Sequence, residues 1–239
     1  MDPDFSVVTP VFNEEGAVAG LAREIAAAFD GLAYEMIFVD DASRDGTRAA
    51  LLALKAELPA LRVIGHERNA GQSRAIRSGV LAARGSIIVT LDGDGQNDPA
   101  DAPRLAQALK AGPPGLGLVG GERQRRRDSF AKRIASRLAN AVRSRLLADG
   151  AADSGCGLKA IRREVYLRLP FFDHQHRFMP ALVIREGFEA RFEPVGHRPR
   201  ESGASKYTNL GRLWASIWDL MGVVWLRSRS RDPGAARQL

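Results

Sequence analysis

Short apolar runs and longer stretches with apolar residues at helical spacing alternate along the first hundred or so positions. Phe5 to Thr9 is an apolar run closed by Pro10 and reads as a buried strand. From Glu14 to Phe29 the chain is Ala-rich, with Val18, Leu21, Ile25 and Phe29 at the recurrence of an amphipathic helix. Tyr34 to Val39 repeats the strand pattern. Asp45-Gly46-Thr47 marks a turn, with Thr47 placed to cap a helix running to Leu58. Leu61 to Gly65 reads as a third strand, Gly71 to Ala83 as a third helix, and Ser86 to Leu91 as a fourth, β-branched strand. Pro99 and Pro103 bracket the start of another helix.

This strand–helix alternation predicts an α/β fold, a mostly parallel sheet with helices on both faces. Ligands in such sheets bind beyond the carboxyl ends of the strands. The polar clusters fall there: Asn13-Glu14, Asp40-Asp41, Asn69 and Asp92-Gly93-Asp94 follow the four strands in turn. The second half differs. Residues 124–147 are strongly basic, residues 153–163 are punctuated by glycine, and residues 195–207 are rich in His, Arg, Gly and Ser. Residues 1–209 therefore read as one α/β domain, 210–231 as an amphipathic segment and 232–239 as a tail.

Composition changes the picture only through charge. Lys and Arg number 35 against 28 Asp and Glu, a net +7, which points to an anionic partner without choosing one. Cys156 is the sole cysteine, so no internal disulfide forms. The acidic start Met1-Asp2-Pro3-Asp4 does not resemble a secretion signal, and no apolar run has the length of a membrane span.

Two carboxylates flanking a small residue at a strand end can hold a hard divalent cation and leave room for phosphate oxygens. Asp92 and Asp94 fit that description, and Gln96 adds a neutral oxygen. Asp41 or Asp40, closing the second strand, can accept hydrogen bonds from a nucleobase or a ribose. Cys156, between two glycines, reads as a small buried residue rather than a nucleophile. His174 and His176 lack the companions a zinc site needs.

Residues 8–14 (VTPVFNE), 39–47 (VDDASRDGT), 69–71 (NAG) and 91–96 (LDGDGQ) together resemble the GT-A core of family 2 glycosyltransferases. Residues 153–159 (DSGCGLK), 176–178 (HRF) and 200–207 (RESGASKY) are similar to the polyprenyl-phosphate branch of that family, of which dolichyl-phosphate mannosyltransferase is the best-known type. The resemblance implies a Rossmann-like GT-A fold with C-terminal amphipathic interfacial helices. It implies an inverting enzyme that moves a sugar from a GDP- or UDP-sugar to a polyprenyl phosphate with Mg²⁺ or Mn²⁺. It places Pro10, Phe12, Glu14 and Asp41 at the nucleoside, with Val39 and Asp40 beside it. Asp92 faces the ribose or the metal, Asp94 and Gln96 ligate the metal, and Arg200 and Lys206 lie over the phosphates. Apart from the resemblance, two anionic reactants need basic residues to hold them together, and Arg123 and Arg133, with Arg200 and Lys206, are the candidates. Where this chain has Gly93 and Gly95 the family often has Ala and Leu, so the loop is expected to be looser here.

A lipid phosphate is already an anionic nucleophile and needs no strong general base, unlike a sugar hydroxyl. The rival acceptor, a hydroxyl in polysaccharide or lipopolysaccharide synthesis, would need a carboxylate base, for which Asp153 is the visible candidate. Two segments suit a bilayer surface. One is residues 124–147, where Phe130, Ile134, Leu138, Val142 and Leu146 recur among many arginines, Arg143 and Arg145 included. The other is residues 210–226, with Trp214, Trp218 and Trp225 and a trailing Arg cluster. Peripheral attachment at the cytoplasmic face of a membrane is the expectation, with a separate anchor or a homo-oligomer as possible aids. Nucleic acid is not an expected partner, because Phe130 alone interleaves the basic helix with an aromatic ring.

Overall fold

The computed structural model describes residues 2–123, 143, 145–198 and 209–230, with the side chains of the last segment from residue 217 onward. Seven strands form one sheet among the described residues: β1 (Phe5–Val11), β2 (Tyr34–Asp40), β3 (Leu61–Gly65), β4 (Ile87–Thr90), β5 (Leu116–Arg123), β6 (Lys159–Arg162) and β7 (Glu189–Val195). Their order is β3-β2-β1-β4-β6-β5-β7. Only β6 runs against its neighbours; the other pairs are parallel. The helices are α1 (Glu15–Ala28), α2 (Thr47–Ala53), α3 (Gln72–Ala82), α4 (Ala102–Ala111), α5 (Arg163–Arg168), α6 (Met179–Arg185) and α7 (Asn209–Ser228).

The strand–helix alternation read from the sequence is therefore present, with two local differences. β1 continues through Pro10 to Val11. The Val8 carbonyl accepts from Leu91 N–H on the β4 side, and Pro10, two residues on, faces that side beyond the end of β4. Its missing N–H therefore breaks no ladder bond. Thr47 is not the cap of α2 but its first residue. Its buried hydroxyl accepts from Glu14 N–H at 2.9 Å and donates to Asp45, whose carboxylate also takes Thr47 N–H at 3.0 Å. The capping oxygen thus comes from Asp45, and Thr47 ties the loop after β1 to the loop after β2.

Two apolar layers sandwich the sheet. On one face Val18, Leu21 and Ile25 of α1 pack with Leu51 of α2 and Leu105 and Leu109 of α4. On the other, Ile76 and Val80 of α3 pack with Val165 of α5, Leu182 of α6 and Val223 of α7. Each such side chain, fully buried, contributes about 1.5–3 kcal/mol. Because α7 contributes Val223 to this layer, with Leu220 and Val224 packed against it, this part of the helix rests on the domain along one side.

One buried charge ties the strands to the layers. Glu35 on β2 accepts from Ser6 Oγ at 2.8 Å, Arg62 Nη1 at 2.5 Å and Arg84 N–H at 2.6 Å. Burial pushes this carboxyl up, but the Arg84, Arg62 and Ser6 donors outweigh it and hold it below the ordinary glutamate range. A depressed carboxyl stabilises the fold above its unfolded value and loses that contribution as pH falls through the folded value. Glu35→Gln is expected to cost about 3 kcal/mol at neutral pH, because it leaves two arginines without their counter-charge. The deficit should shrink under acid, as urea melts of both proteins at about pH 7 and about pH 3 would show.

Candidate active site

The order of the sheet reverses between β1 and β4: β2 and β3 lie to one side of β1, β4 and the rest to the other. A crevice at such a switch point, outside the carboxyl ends of the strands, is where these folds bind ligands. The loops after β1, β2 and β4 meet there.

The loops after β1 and β2 are laced together. Asn13 N–H donates to Ser43 Oγ at 3.0 Å, Arg44 N–H to Asn13 Oδ1 at 2.7 Å, and Gly46 N–H to Glu15 Oε2 at 3.0 Å. Asn13 and Ala42 are held at φ 54° and 62°, left-handed backbone that an alanine rarely adopts. Strain of this kind persists where surrounding contacts over-determine it, and it gathers at binding sites.

The adjacent acids Asp40 and Asp41 do different work. Asp40 is fully buried and accepts from Ser43 N–H at 3.0 Å and Arg48 Nε at 2.6 Å, so it shapes the turn. Asp41 reaches the loop after β3, accepting from Ala70 N–H at 2.9 Å, Gly71 N–H at 2.8 Å and His66 Nδ1 at 2.6 Å. Val39 is wholly buried, so its side chain backs the wall. Phe12 and Glu14 lie half-buried on the rim, and Pro10 sits beneath the β4 loop.

Asp92 stands at the centre. Gln72 Nε2, at the start of α3, donates to its Oδ1 at 2.7 Å. Gly157 passes so close that a Cβ there would lie 2.2 Å from Asp92 Cγ. Thr90 Oγ1 fixes that backbone by donating to Gly157 O at 2.7 Å. Burial, and then the neighbouring Asp94, push the Asp92 carboxyl up, while Lys159, Arg123 and Gln72 pull it back. Lys159, paired in register with Thr90, is buried and donates to Cys156 O. Its burial lowers the ammonium, opposed by Cys156, Asp92 and Asp153. Arg123, ending β5, binds Asp153 through Nε at 2.5 Å and Nη2 at 2.7 Å, and this pairing raises it.

Gly93 is not the loose joint expected. A Cβ there would meet Pro10 O and Val11 Cγ1 at 2.6 Å, so glycine lets the β4 loop lie against β1. Gly95 does need its freedom, at φ 72°. Asp94 accepts from Gln96 N–H at 3.2 Å. No group of three or more His, Cys, Asp or Glu side chains able to hold a metal occurs among the described residues. Two mutually repelling carboxylates with the Gln96 amide still make a hard oxygen donor set, which a divalent cation fits if phosphate oxygens complete its shell.

Three residues of the site were given no role from sequence: Gln72, Lys159 and His66. Gln72 follows directly on Asn69-Ala70-Gly71, which was a usable signal. Lys159 ends the 153–159 motif and His66 directly follows the third strand, but neither position by itself gives the side chain a role; strand pairing sets Lys159 opposite Thr90, and His66 meets Asp41. Cys156 is buried, with its thiol pushed up chiefly by burial, as expected of a packing residue. His174 pairs with Asp219 of α7 at 2.8 Å and His176 with Ser73 at 2.8 Å, so the two diverge. Burial first, then Arg177, holds His176 well below the ordinary histidine value and therefore neutral. Arg133, Arg200 and Lys206 lie outside the described residues.

Fold and rim define the class, an α/β protein with a polar crevice at the switch point of its sheet. The chain belongs to glycosyl transferase family 2, whose family model matches residues 6–169, and it is a glycosyltransferase. It is 36% identical over 236 residues to a dodecaprenyl-phosphate galacturonate synthase from Rhizobium johnstonii, covering 97% of this chain and 69% of that protein. It is 37% identical over 220 residues to an undecaprenyl-phosphate 4-deoxy-4-formamido-L-arabinose transferase from Edwardsiella ictaluri, covering 90% of this chain and 66% of that one. The chain thus spans about two thirds of the length of these curated relatives. A structure of glucosyl-3-phosphoglycerate synthase from Mycobacterium tuberculosis with Mn²⁺, UDP and glucosyl-3-phosphoglycerate superposes at a TM-score of 0.71. It is 23% identical, with 97% of this chain and 82% of that one covered, a likeness of fold.

Proposed function

We propose that this glycosyltransferase moves a sugar from a nucleoside-diphosphate sugar onto the phosphate of a polyprenyl phosphate. The observation that carries the choice of acceptor is the state of Asp153. A hydroxyl acceptor needs a carboxylate base, yet both oxygens of Asp153 are held by Arg123 in a largely buried two-point pair. A carboxylate so occupied is a poor proton acceptor, whereas a phosphate nucleophile needs none. The relatives named for polyprenyl-phosphate products point the same way.

In this reading the Asn13–Ser43–Asp41 side of the crevice receives the nucleoside, and Asp92, Asp94 and Gln96 would hold Mg²⁺ or Mn²⁺. A bound cation would neutralise charge on the departing diphosphate. Lys159 and the Asp153-paired Arg123 are the proposed cationic side chains beneath the reacting phosphates, and Gln72 would keep the Asp92 carboxylate aimed. Arg200 and Lys206, just beyond the described residues, are the proposed cover over the donor phosphates. Incubating the protein with a panel of nucleotide-sugars, a polyprenyl phosphate and Mg²⁺ tests the assignment. The expected result is a product mass equal to lipid phosphate plus one sugar. Transfer to a soluble hydroxyl acceptor alone would overturn it.

Such an acceptor requires the crevice to work at a bilayer, and α7 is the proposed contact. No helix among the described residues is long and apolar enough to cross a membrane. α7 turns Val223 inward but leaves Trp218 62% and Trp225 58% exposed, with Met221 between them on the same side and Arg227 and Arg229 beyond. Tryptophans beside a basic end suit the headgroup region. Of the basic segment, Arg143 serves otherwise: it is ion-paired to the buried Asp149 at 2.6 Å. Co-sedimentation with anionic vesicles is expected to weaken with salt, and to fall about tenfold further when Trp218 and Trp225 become Ala. Unchanged vesicle binding of that double variant would remove α7 from the membrane contact.

A further inference from the structure

Ser73 and Gln72, at the amino end of α3, face the crevice through His176 and Asp92. The next turn carries Arg74 and Arg77, which the donor site does not use. Both guanidinium groups lie against one ring: Arg74 Cζ is 3.9 Å and Arg77 Cζ 5.0 Å from the centroid of Phe171. Like charges three residues apart on a helix repel. Among the described residues neither arginine forms an ion pair, whereas Arg123 and Arg143 each have a carboxylate. Arg77 Nη1 is buried yet donates to no acceptor. A buried donor without a partner costs about 1–3 kcal/mol, more when charged, so this arrangement is at a disadvantage unless something anionic joins it. The nearby Tyr166 phenol does not serve: its hydroxyl turns to Gln175 Oε1 at 3.4 Å.

The location narrows the ligand. α3, α5 and α7 cover the same face of the sheet. His176 lies on Ser73, and His174, two residues away, binds Asp219 of α7, next to the exposed Trp218. The arginine pair therefore sits on the same helix as Ser73, the residue that His176 and its near neighbour His174 connect toward α7. Planar guanidinium groups match phosphate oxygens through paired N–H donors, and the flanking ring presets their orientation.

We propose that Arg74 and Arg77, stacked on Phe171, form a second anion site that takes a lipid-borne phosphate outside the Asp92–Asp94 rim. The lipid identity rests on the proposed function; the anion site does not. The same phosphate chemistry is offered by the acceptor lipid and by bilayer headgroups, and two measurements on the full chain separate them. The first is calorimetric binding of a short-chain prenyl phosphate without any bilayer. The second is co-sedimentation with phosphatidylglycerol vesicles against phosphatidylcholine vesicles. Arg74→Gln, at an exposed position, and Arg74→Gln/Arg77→Gln are compared with the parent, with nucleotide affinity as the control. A loss of about tenfold in prenyl phosphate affinity assigns the site to the acceptor, and the same loss in vesicle binding assigns it to headgroups. Either supports the site, provided nucleotide affinity holds. If neither binding changes, or if nucleotide affinity falls in parallel in the single variant, the proposal is overturned. Failure to glycosylate any polyprenyl phosphate would remove the proposed function but leave both binding results readable.

Discussion

Asp94→Ala is expected to leave a folded protein with no measurable sugar transfer, and excess EDTA is expected to do the same to the parent protein. Asp94 and Asp92 repel each other, which is part of what drives the Asp92 carboxyl up. Removing one of two repelling carboxylates relieves the apo fold, so thermal unfolding should shift by no more than about 4 °C. Catalysis has the opposite dependence. With the donor set reduced to Asp92 and Gln96, little would hold a divalent cation where the diphosphate charge develops. Loss of such electrostatic stabilisation costs on the order of a thousandfold or more in kcat. Full activity of the parent protein in EDTA would exclude the metal. Activity of Asp94→Ala near that of the parent would move the metal off the Asp92–Gln96 loop.

Gly157→Ala is expected to be nearly as damaging, by a different route. The added methyl would lie 2.2 Å from Asp92 Cγ and 2.3 and 2.4 Å from its oxygens. Neither group can step aside cheaply. Asp92 is held by Gln72, and the Gly157 backbone is held by Thr90. Overpacking of this kind costs about 1–3 kcal/mol of stability. The larger effect is on geometry, since a displacement of about 1 Å at a catalytic group can cost on the order of a hundredfold in rate. Gly155→Ala is the matched control, because its Cβ would meet only Arg123 Nη2 at 3.3 Å and Asp153 Oδ1 at 3.7 Å. Parallel kinetics and melting curves should show a steep fall in kcat/KM for the first substitution and a small one for the second. Equal, mild losses in both would mean that Asp92 does not depend on Gly157 for its position.

The alternation of apolar runs and amphipathic stretches was enough to read four strands and their helices, because burial of a parallel strand and of one helix face writes itself into local periodicity. β3 (Leu61–Gly65) was read to the residue, and Asp92-Gly93-Asp94 was recognisable from its place at a strand end. What the sequence could not carry is everything set by pairing between distant segments. Lys159 reaches the site because β6 runs antiparallel beside β4 and sets it opposite Thr90, a register no local pattern encodes. Asp40 and Asp41 look alike in sequence. Only the fold turns one to Arg48 and the other to the Ala70–Gly71 backbone, since Asp40 is the last residue of β2 and Asp41 already belongs to the loop that meets the one after β3. Gly93 read as flexibility and is contact, because the distance from its Cα to Pro10 O is a property of two strands and not of one loop. Asp153 read as a possible base and is a bound counter-ion, because its partner Arg123 lies at the end of a strand 30 residues earlier. Local sequence determined which residues carry chemistry and on which elements. The tertiary structure decided which of them are free to use it, because hydrogen-bond partners at long sequence separation set the availability of each charge.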